Sequence, residues 1–273
     1  MLSGADLRAF DELVQRDPVV NVFAAYRARV TSLEPRWLGG AVWGRFIDDR
    51  LVAACHMGAN LVPVGCDAES ARSFARAALG RVRDTATIVG PHAAVEALWR
   101  EVEDRWASPR ELRWRQPHLE IDADPLVAPD PHVRRATEAD LDRLYPACVA
   151  MYTEEVGVSP EVGGGADHYR ARVRQLVSRG WSLARFDDDG EVLFKAEFAC
   201  ATSYAAQVQG VWVRPDQRGL GLAAAGMAAV VDHVRRNVAP VVSLYVNEWN
   251  APARAAYDRV GFRETARFST IMF

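Results

Sequence analysis

The chain has 273 residues, of which 49% are hydrophobic, and this length predicts about two domains with a core each. Its 33 Lys and Arg residues and 36 Asp and Glu residues give a formal net charge of −3. Because nonspecific binding to nucleic acid requires a basic surface, we expect no nucleic-acid partner. No apolar run approaches the roughly 20 residues of a membrane-spanning helix, so we expect no membrane partner either.

The four cysteines are scattered along the chain without the C-x-x-C spacing of metal or redox sites. They are Cys55, Cys66, Cys148 and Cys200. We therefore predict buried thiols in a reducing compartment and no metal ion. The first segment, MLSGADLRAFDEL, has acidic residues where a signal peptide needs basic ones. Together these features predict a cytoplasmic location.

The first half of the chain begins with two helical segments and continues into two apolar stretches within residues 37–64. Asp48-Asp49-Arg50 separates the two stretches and predicts a hairpin turn. Next come a helix over 68–82, a strand over 85–89, a helix over 92–102 and a strand over 109–121. Residues 122–131, DADPLVAPDP, are acidic, proline-rich and aperiodic, and we place the linker there. The predicted domains are residues 1–124 and 132–273.

The second half opens with a new start signal, because Thr137 is followed by Asp140 three residues later, as at a helix N-terminus. That predicted helix runs through Tyr152 and leads to a glycine-rich loop and a second helix. Two strands joined at residues 187–190 precede a third strand at 204–213. A helix, a strand, a helix and a final strand near residue 268 complete the predicted order.

Residues 211–225, VWVRPDQRGLGLAAA, change from an apolar strand to a proline break, a glycine turn and an alanine-rich helix. Gly219 and Gly221 let backbone N–H groups converge without obstruction by side chains. The first turn of the helix adds unpaired N–H groups and the positive end of the helix dipole. Arg218 adds a full positive charge. We therefore predict a site for a phosphate or pyrophosphate group.

The spacing of this turn fits neither GxxxxGK[ST] nor GxGxxG, which argues against a P-loop and a dinucleotide fingerprint. Arg218, Gly221 and Ala223 instead fit R/Q-x-x-G-x-G/A, and residues 213–219 before them fit V-x-P-x-x-R-G. Downstream, residues 250–262 reproduce the run N-x-x-A-x-x-x-Y-x-x-x-G-F. With these two motifs in this order, the second half resembles the GCN5-related N-acetyltransferase (GNAT) superfamily.

The resemblance implies an α+β fold with α/β/α layers, in which each domain has a mixed, mostly antiparallel sheet flanked by helices. The first half follows the same coarse order of strands and helices, but its turn at residues 65–67 lacks the arginine and the paired glycines. We therefore expect two tandem GNAT-like domains, the first of which is degenerate and has no cofactor site.

In this superfamily an acyl group passes directly from the thioester of coenzyme A to an amine, so the resemblance implies acetyl-CoA as the cofactor. Main-chain groups of Val211 and Val213 would bind the pantetheine arm, and a strand N–H near Val211 would stabilise the oxyanion. The implied cofactor-binding residues are Val211, Trp212, Val213, Arg218, Gly219, Leu220, Gly221, Leu222, Ala223, Ala224 and Asn250. Asn250 is alternatively, or in addition, the cap of the next helix.

Tyr257 matches the tyrosine that protonates the departing thiolate in many members of the superfamily. A phenol of pKa about 10 can protonate a thiolate of pKa about 8.5 when the two groups are close and well oriented. The alternative is that Tyr257 is an ordinary core aromatic residue. Both interpretations place it on the helix that follows Asn250.

The general base is less well defined, because Gln207 stands where some members carry a catalytic glutamate. Glu197 on the preceding strand is one substitute, and Glu154 or Glu155 beside the expected acceptor pocket are others. Each of the three is alternatively a solvated surface carboxylate.

The resemblance does not identify the acceptor, because one fold serves many acceptors. Glutamates near the expected pocket favour a cationic amine, either a small molecule or a peptide. The leading hypothesis is an N-acetyltransferase in a monomer or homodimer. One alternative has both halves shaping a single acceptor cleft, and another is an acyl-CoA sensor or scaffold without turnover.

Overall fold

The computed structural model describes the whole chain, Met1–Phe273. By internal contacts the chain forms two compact units whose segments alternate along the sequence. Unit 1 comprises Met1–Leu119, Tyr245–Trp249 and Glu264–Phe273, and unit 2 comprises Glu120–Leu244 and Asn250–Arg263.

The helices and strands follow one another in nearly the predicted order. In chain order they are α1 (Leu7–Val14), α2 (Val22–Thr31), α3 (Pro35–Leu38), β1 (Ala41–Ile47), β2 (Arg50–Met57), β3 (Asn60–Val64), α4 (Ala68–Leu79), β4 (Thr87–Pro91), α5 (His92–Val102), β5 (Glu111–Ile121), β6 (Arg134–Arg135), α6 (Leu141–Val156), α7 (Ala166–Ser178), β7 (Ser182–Phe186), β8 (Val192–Ala201), β9 (Ala205–Val213), α8 (Leu222–Asn237), β10 (Val241–Tyr245), α9 (Ala251–Val260) and β11 (Arg263–Met272). No helix or strand falls within residues 122–131, where the linker was predicted.

Unit 1 contains a mixed sheet with the strand order β1-β2-β3-β4-β11-β5. The predicted hairpin joins β1 to β2, and Asp48 and Asp49 take positive φ angles of 47° and 58° in its turn. The second apolar stretch, predicted as one segment, forms two strands, because residues 58–59 turn the chain so that β2 pairs with β3 antiparallel. β3 and β4 are parallel.

The strand β11 belongs to unit 1, whereas the sequence-based boundaries placed all of residues 132–273 in the second domain. It pairs antiparallel with β4 from Phe268 opposite Pro91 to Met272 opposite Thr87. Ile271 is fully buried in a core with residues of α4 and α5. Hydrophobic burial and strand pairing therefore hold β11 against elements that are more than 150 positions earlier in the chain.

Unit 2 has the strand order β10-β9-β8-β7-β6, with β10 parallel to β9 and the other pairs antiparallel. Leu144, Cys148 and Met151 on one face of α6 pack with Val173 of α7 and Trp212 of β9. The helical spacing of these apolar residues explains why α6 forms and which face it buries. The predicted α+β class, with mixed and mostly antiparallel sheets flanked by helices, is confirmed.

The four cysteines are buried and unpaired, as predicted. Burial raises the pKa of Cys66 and of Cys200 to about 12, so both remain thiols at neutral pH. Among the helices, none combines the length and the apolar character that crossing a membrane requires.

Candidate functional site

An open strand edge lies beside β10 in unit 2. The parallel ladder between β9 and β10 contains three residue pairs and ends at Ser243 opposite Gln207. β9 continues for six more residues, 208–213, while pairing only with β8. Apart from the Val213 carbonyl, which accepts from Arg218, backbone groups of β9 that point away from β8 in this part are therefore available to an extended ligand. The predicted Val211 and Val213 lie here.

The glycine loop joins β9 to α8 and leaves five successive amides without a partner. The backbone N–H groups of Arg218 and Ala224 donate to Pro215 and Gly221, whereas those of residues 219–223 make no hydrogen bond within the protein. Gly219 and Gly221 have φ angles of 81° and 86°, a region that residues with a Cβ rarely occupy. These converging N–H groups at the start of a 16-residue helix fit a diphosphate.

Arg218 is fixed by two contacts at this loop. Its Nε donates to the carbonyl of Val213 at 3.0 Å, and its guanidinium forms an ion pair with Glu154 at 2.7 Å. The other carboxylate oxygen of Glu154 accepts from the indole N–H of Trp212 at 3.1 Å. Glu154 lies in the last turn of α6, which extends four residues beyond the predicted end at Tyr152. Glu154 therefore holds Arg218 at the predicted phosphate site.

Glu197 is buried in β8 and holds both carboxylate oxygens in hydrogen bonds. One accepts from the ammonium of Lys195 at 3.1 Å and the other from the side chain of Gln209 at 3.0 Å. Lys195 is fully buried, and Cys148 lies near it. Burial alone lowers the pKa of Lys195, but the attraction of Glu197 and Cys148 outweighs it and the pKa is raised. Lys195 therefore keeps its positive charge at neutral pH.

A bulge brings this ion pair up to the open strand edge. The pairing of β8 with β9 shifts register between Lys195 and Glu197, and Gly210 stands opposite with a φ angle of 59°. A Cβ atom at Gly210 would lie 3.1 Å from the carboxyl carbon of Glu197 and 3.1 Å from Met151. Glycine here lets the carboxylate approach the backbone of β9 closely.

Tyr257 is buried in α9, where its ring meets Phe262 edge to face at 5.8 Å between centroids. Burial raises the pKa of Tyr257, and the negative charge of Glu155 raises it further. The phenol therefore keeps its proton at neutral pH. Asn250 caps α9 by accepting a hydrogen bond from the Ala253 N–H at 3.2 Å, so its predicted capping role is observed.

The predicted site residues thus form two side-chain groups and one main-chain surface. Glu154 joins Arg218 and Trp212, while Glu155 lies near Tyr257. Leu220, Leu222, Ala223 and Ala224 contribute the loop and the first turn of α8. Sequence reasoning missed Lys195 as a partner of Glu197. Two signals pointed to it: Lys195 is the only lysine, and it stands two residues from Glu197 on the same face of an apolar strand.

The open edge of β9, the glycine loop and the helix after it lie where the resemblance to acetyltransferases predicted them. Residues 179–262 match the model of the acetyltransferase (GNAT) family, and residues 40–144 match a domain of unknown function (DUF4081). The second half of the chain is therefore similar to GNAT acetyltransferases, and the first half is similar to DUF4081 domains.

Among curated proteins, the chain is similar to the mycothiol acetyltransferase of Brachybacterium faecium, with 32% identity over 127 residues. That match covers 41% of this chain and only 38% of the relative.

Solved structures with the same fold cover nearly the whole chain. A GNAT acetyltransferase from Colwellia psychrerythraea matches with a TM-score of 0.58 and 14% identity, over 100% of this chain and 98% of that one. A tandem GNAT protein from the clavulanic acid biosynthesis pathway matches with a TM-score of 0.55 and 17% identity, over 99% and 97%. A GCN5-related N-acetyltransferase from Sphaerobacter thermophilus matches with a TM-score of 0.59 and 18% identity, over 98% of this chain and 92% of that one. The predicted tandem GNAT-like fold is thereby confirmed.

Proposed function

We propose that this chain is an N-acyltransferase that moves an acetyl group from acetyl-CoA to an amine. The observation that carries this proposal is the run of five unbonded amides at residues 219–223, next to the open edge of β9. The amides and the helix N-terminus would hold the diphosphate, and Val211 and Val213 would bond the pantetheine arm. Bound acetyl-CoA would supply the thioester carbonyl that the amine attacks.

The chain's own side chains divide the proton transfers between them. Tyr257 keeps its proton and is the group that would protonate the departing thiolate. We assign Glu197 to accept a proton from the amine, directly or through water, because its carboxyl carbon would lie 3.1 Å from a Cβ atom at Gly210 in the open part of β9. Glu154 contacts Arg218 at the glycine loop and Trp212 of β9, so we assign it to positioning the phosphate loop. Glu155 would act on Tyr257 through its charge.

Binding and turnover test the proposal separately. Acetyl-CoA at about a hundred times its Kd would stabilise the folded chain by about 2.7 kcal/mol. At about 2–4 °C per kcal/mol for domains of this size, the thermal midpoint should rise by several degrees. Release of free coenzyme A thiol should then depend on an amine. The acceptor panel covers small amines, peptide amines and the acceptor of the mycothiol acetyltransferase reaction, which the similar protein's name suggests.

The outcomes separate the competing hypotheses. Stabilisation together with amine-dependent thiol release supports the transferase. Stabilisation without release for any acceptor favours an acyl-CoA sensor or scaffold. The absence of any thermal shift contradicts the proposed cofactor site.

Tyr257→Phe should lower turnover by about 10²-fold or more, because it removes the proton donor and keeps the buried ring. The thermal shift caused by acetyl-CoA should stay within error of wild type. Tyr204→Phe provides a matched control, since Tyr204 lies in the exposed turn before β9. Wild-type turnover in Tyr257→Phe would show that this tyrosine is not the proton donor and has only a structural role.

A further inference from the structure

A pocket of about 430 Å³ lies in unit 2 beside the C-terminal turn of α8. Its lining contains Arg135, Arg179 and His233 and has no Asp or Glu. The volume falls within the usual range of small-molecule sites. Because α8 has 16 residues and rises about 1.5 Å per residue, this pocket is about 20 Å from the glycine loop at the other end of the helix.

Arg135 has an unused guanidinium at the wall of this pocket. Its neighbour Arg134 forms two hydrogen bonds of 2.8 Å with Asp140, whereas the Arg135 side chain makes no ion pair or hydrogen bond within the protein. The guanidinium instead lies beside Gly180, with its carbon 2.9 Å from where a Cβ atom of residue 180 would stand. Its five N–H donors therefore have no acceptor within the protein.

Arg179 adds a second positive charge to the pocket, and the pKa of His233 responds to the charge of Arg135. The guanidinium of Arg179 lies over the Trp181 ring at 5.3 Å, a contact that restrains its orientation. Burial lowers the pKa of His233 and the charge of Arg135 lowers it further, while Asp232 acts weakly in the other direction. Asp232 is itself paired with Arg236 at 2.7 Å. His233 is therefore neutral at pH 7, and its pKa depends on the positive charge around it.

The C-terminus of α8 carries a partial negative charge of roughly half an elementary charge, which the two full charges of Arg135 and Arg179 exceed. Asn237 also donates to the carbonyl of His233 at 2.8 Å and so satisfies one of the free carbonyls of that helix end. We propose that this pocket is a second ligand site, which binds a small organic anion through a phosphate or carboxylate group.

His233 gives a local readout, which matters because phosphate would also bind the glycine loop. The ring signals of the six histidines are titrated by NMR, and His233→Gln assigns the relevant one. Inorganic phosphate should raise the titration midpoint of His233 by about 0.5–1 pH unit, because a nearby negative charge favours the imidazolium. Citrate, tested in parallel, distinguishes a carboxylate ligand from a phosphate ligand. Chloride at equal ionic strength should have a smaller effect.

Arg135→Gln should raise the midpoint of His233 without ligand and abolish the response to phosphate and citrate. Arg105→Gln, an exposed arginine in unit 1, should behave as wild type. An equal shift with chloride, an unchanged response in Arg135→Gln, or no response to either anion would overturn the proposal. None of these measurements depends on acetyl transfer, so the result is independent of the proposed function.

Discussion

Lys195→Met should lower the free energy of unfolding by about 3–5 kcal/mol, because it leaves the Glu197 carboxylate buried with only Gln209 as a partner. Thermal or denaturant unfolding at pH 7 measures this loss. It should shrink as the pH falls toward 4, since protonation neutralises the isolated carboxyl. In the wild type, the raised pKa of Lys195 means that its contribution is present at neutral pH and is lost only above about 10.5.

The double variant Lys195→Met with Glu197→Gln is the matched control. It removes both charges and keeps an amide in place of the carboxylate, so most of the lost stability should return. Its turnover should be very low, because an amide in place of the Glu197 carboxylate accepts no proton. Equal stability of the single and double variants would contradict an energetic coupling between the two charges. Wild-type turnover of the double variant would exclude Glu197 as the base.

Gly221→Glu should abolish the thermal shift that acetyl-CoA produces. The new carboxylate would face the diphosphate, and the φ angle of 86° at this position strains any residue with a Cβ atom by about 1–2 kcal/mol. The space around Gly221 is open, so no steric clash adds to these effects. Comparison of the thermal midpoint with and without acetyl-CoA tests the prediction.

Gly221→Ala separates strain from charge, since it carries the same φ penalty without the carboxylate. It should keep a reduced but measurable shift on addition of acetyl-CoA. If the glutamate variant binds as well as the alanine variant, the glycine loop is not the phosphate site.

Local sequence patterns predicted most of unit 2 and the loop of the candidate site. The proline break, the two glycines and the alanine-rich run in residues 211–225 are local signals, and they predicted the strand, loop and helix in the right places. The cap at Asn250 was likewise readable, because capping depends on neighbours three residues apart.

Local sequence patterns could not predict the contacts between segments that are distant in the chain. Glu154 and Arg218 are 64 positions apart, and nothing local indicates that the last turn of α6 meets the phosphate loop. The role of Lys195 required knowing that both faces of β8 are buried, since on an exposed face the same residue would be unremarkable. Strand partners pose the same problem, because pairing is a property of the assembled sheet.

The placement of β11 has a consequence for synthesis of the chain on the ribosome. Unit 1 is begun first, but its sheet lacks the strand between β4 and β5 until residue 272 has emerged. During that interval the edge of β4 and the core around α4 and α5 have no final cover. Completion of the unit that starts at the first residue is therefore delayed until nearly all of unit 2 has been translated. A fragment that ends at the linker would reproduce the unfinished intermediate.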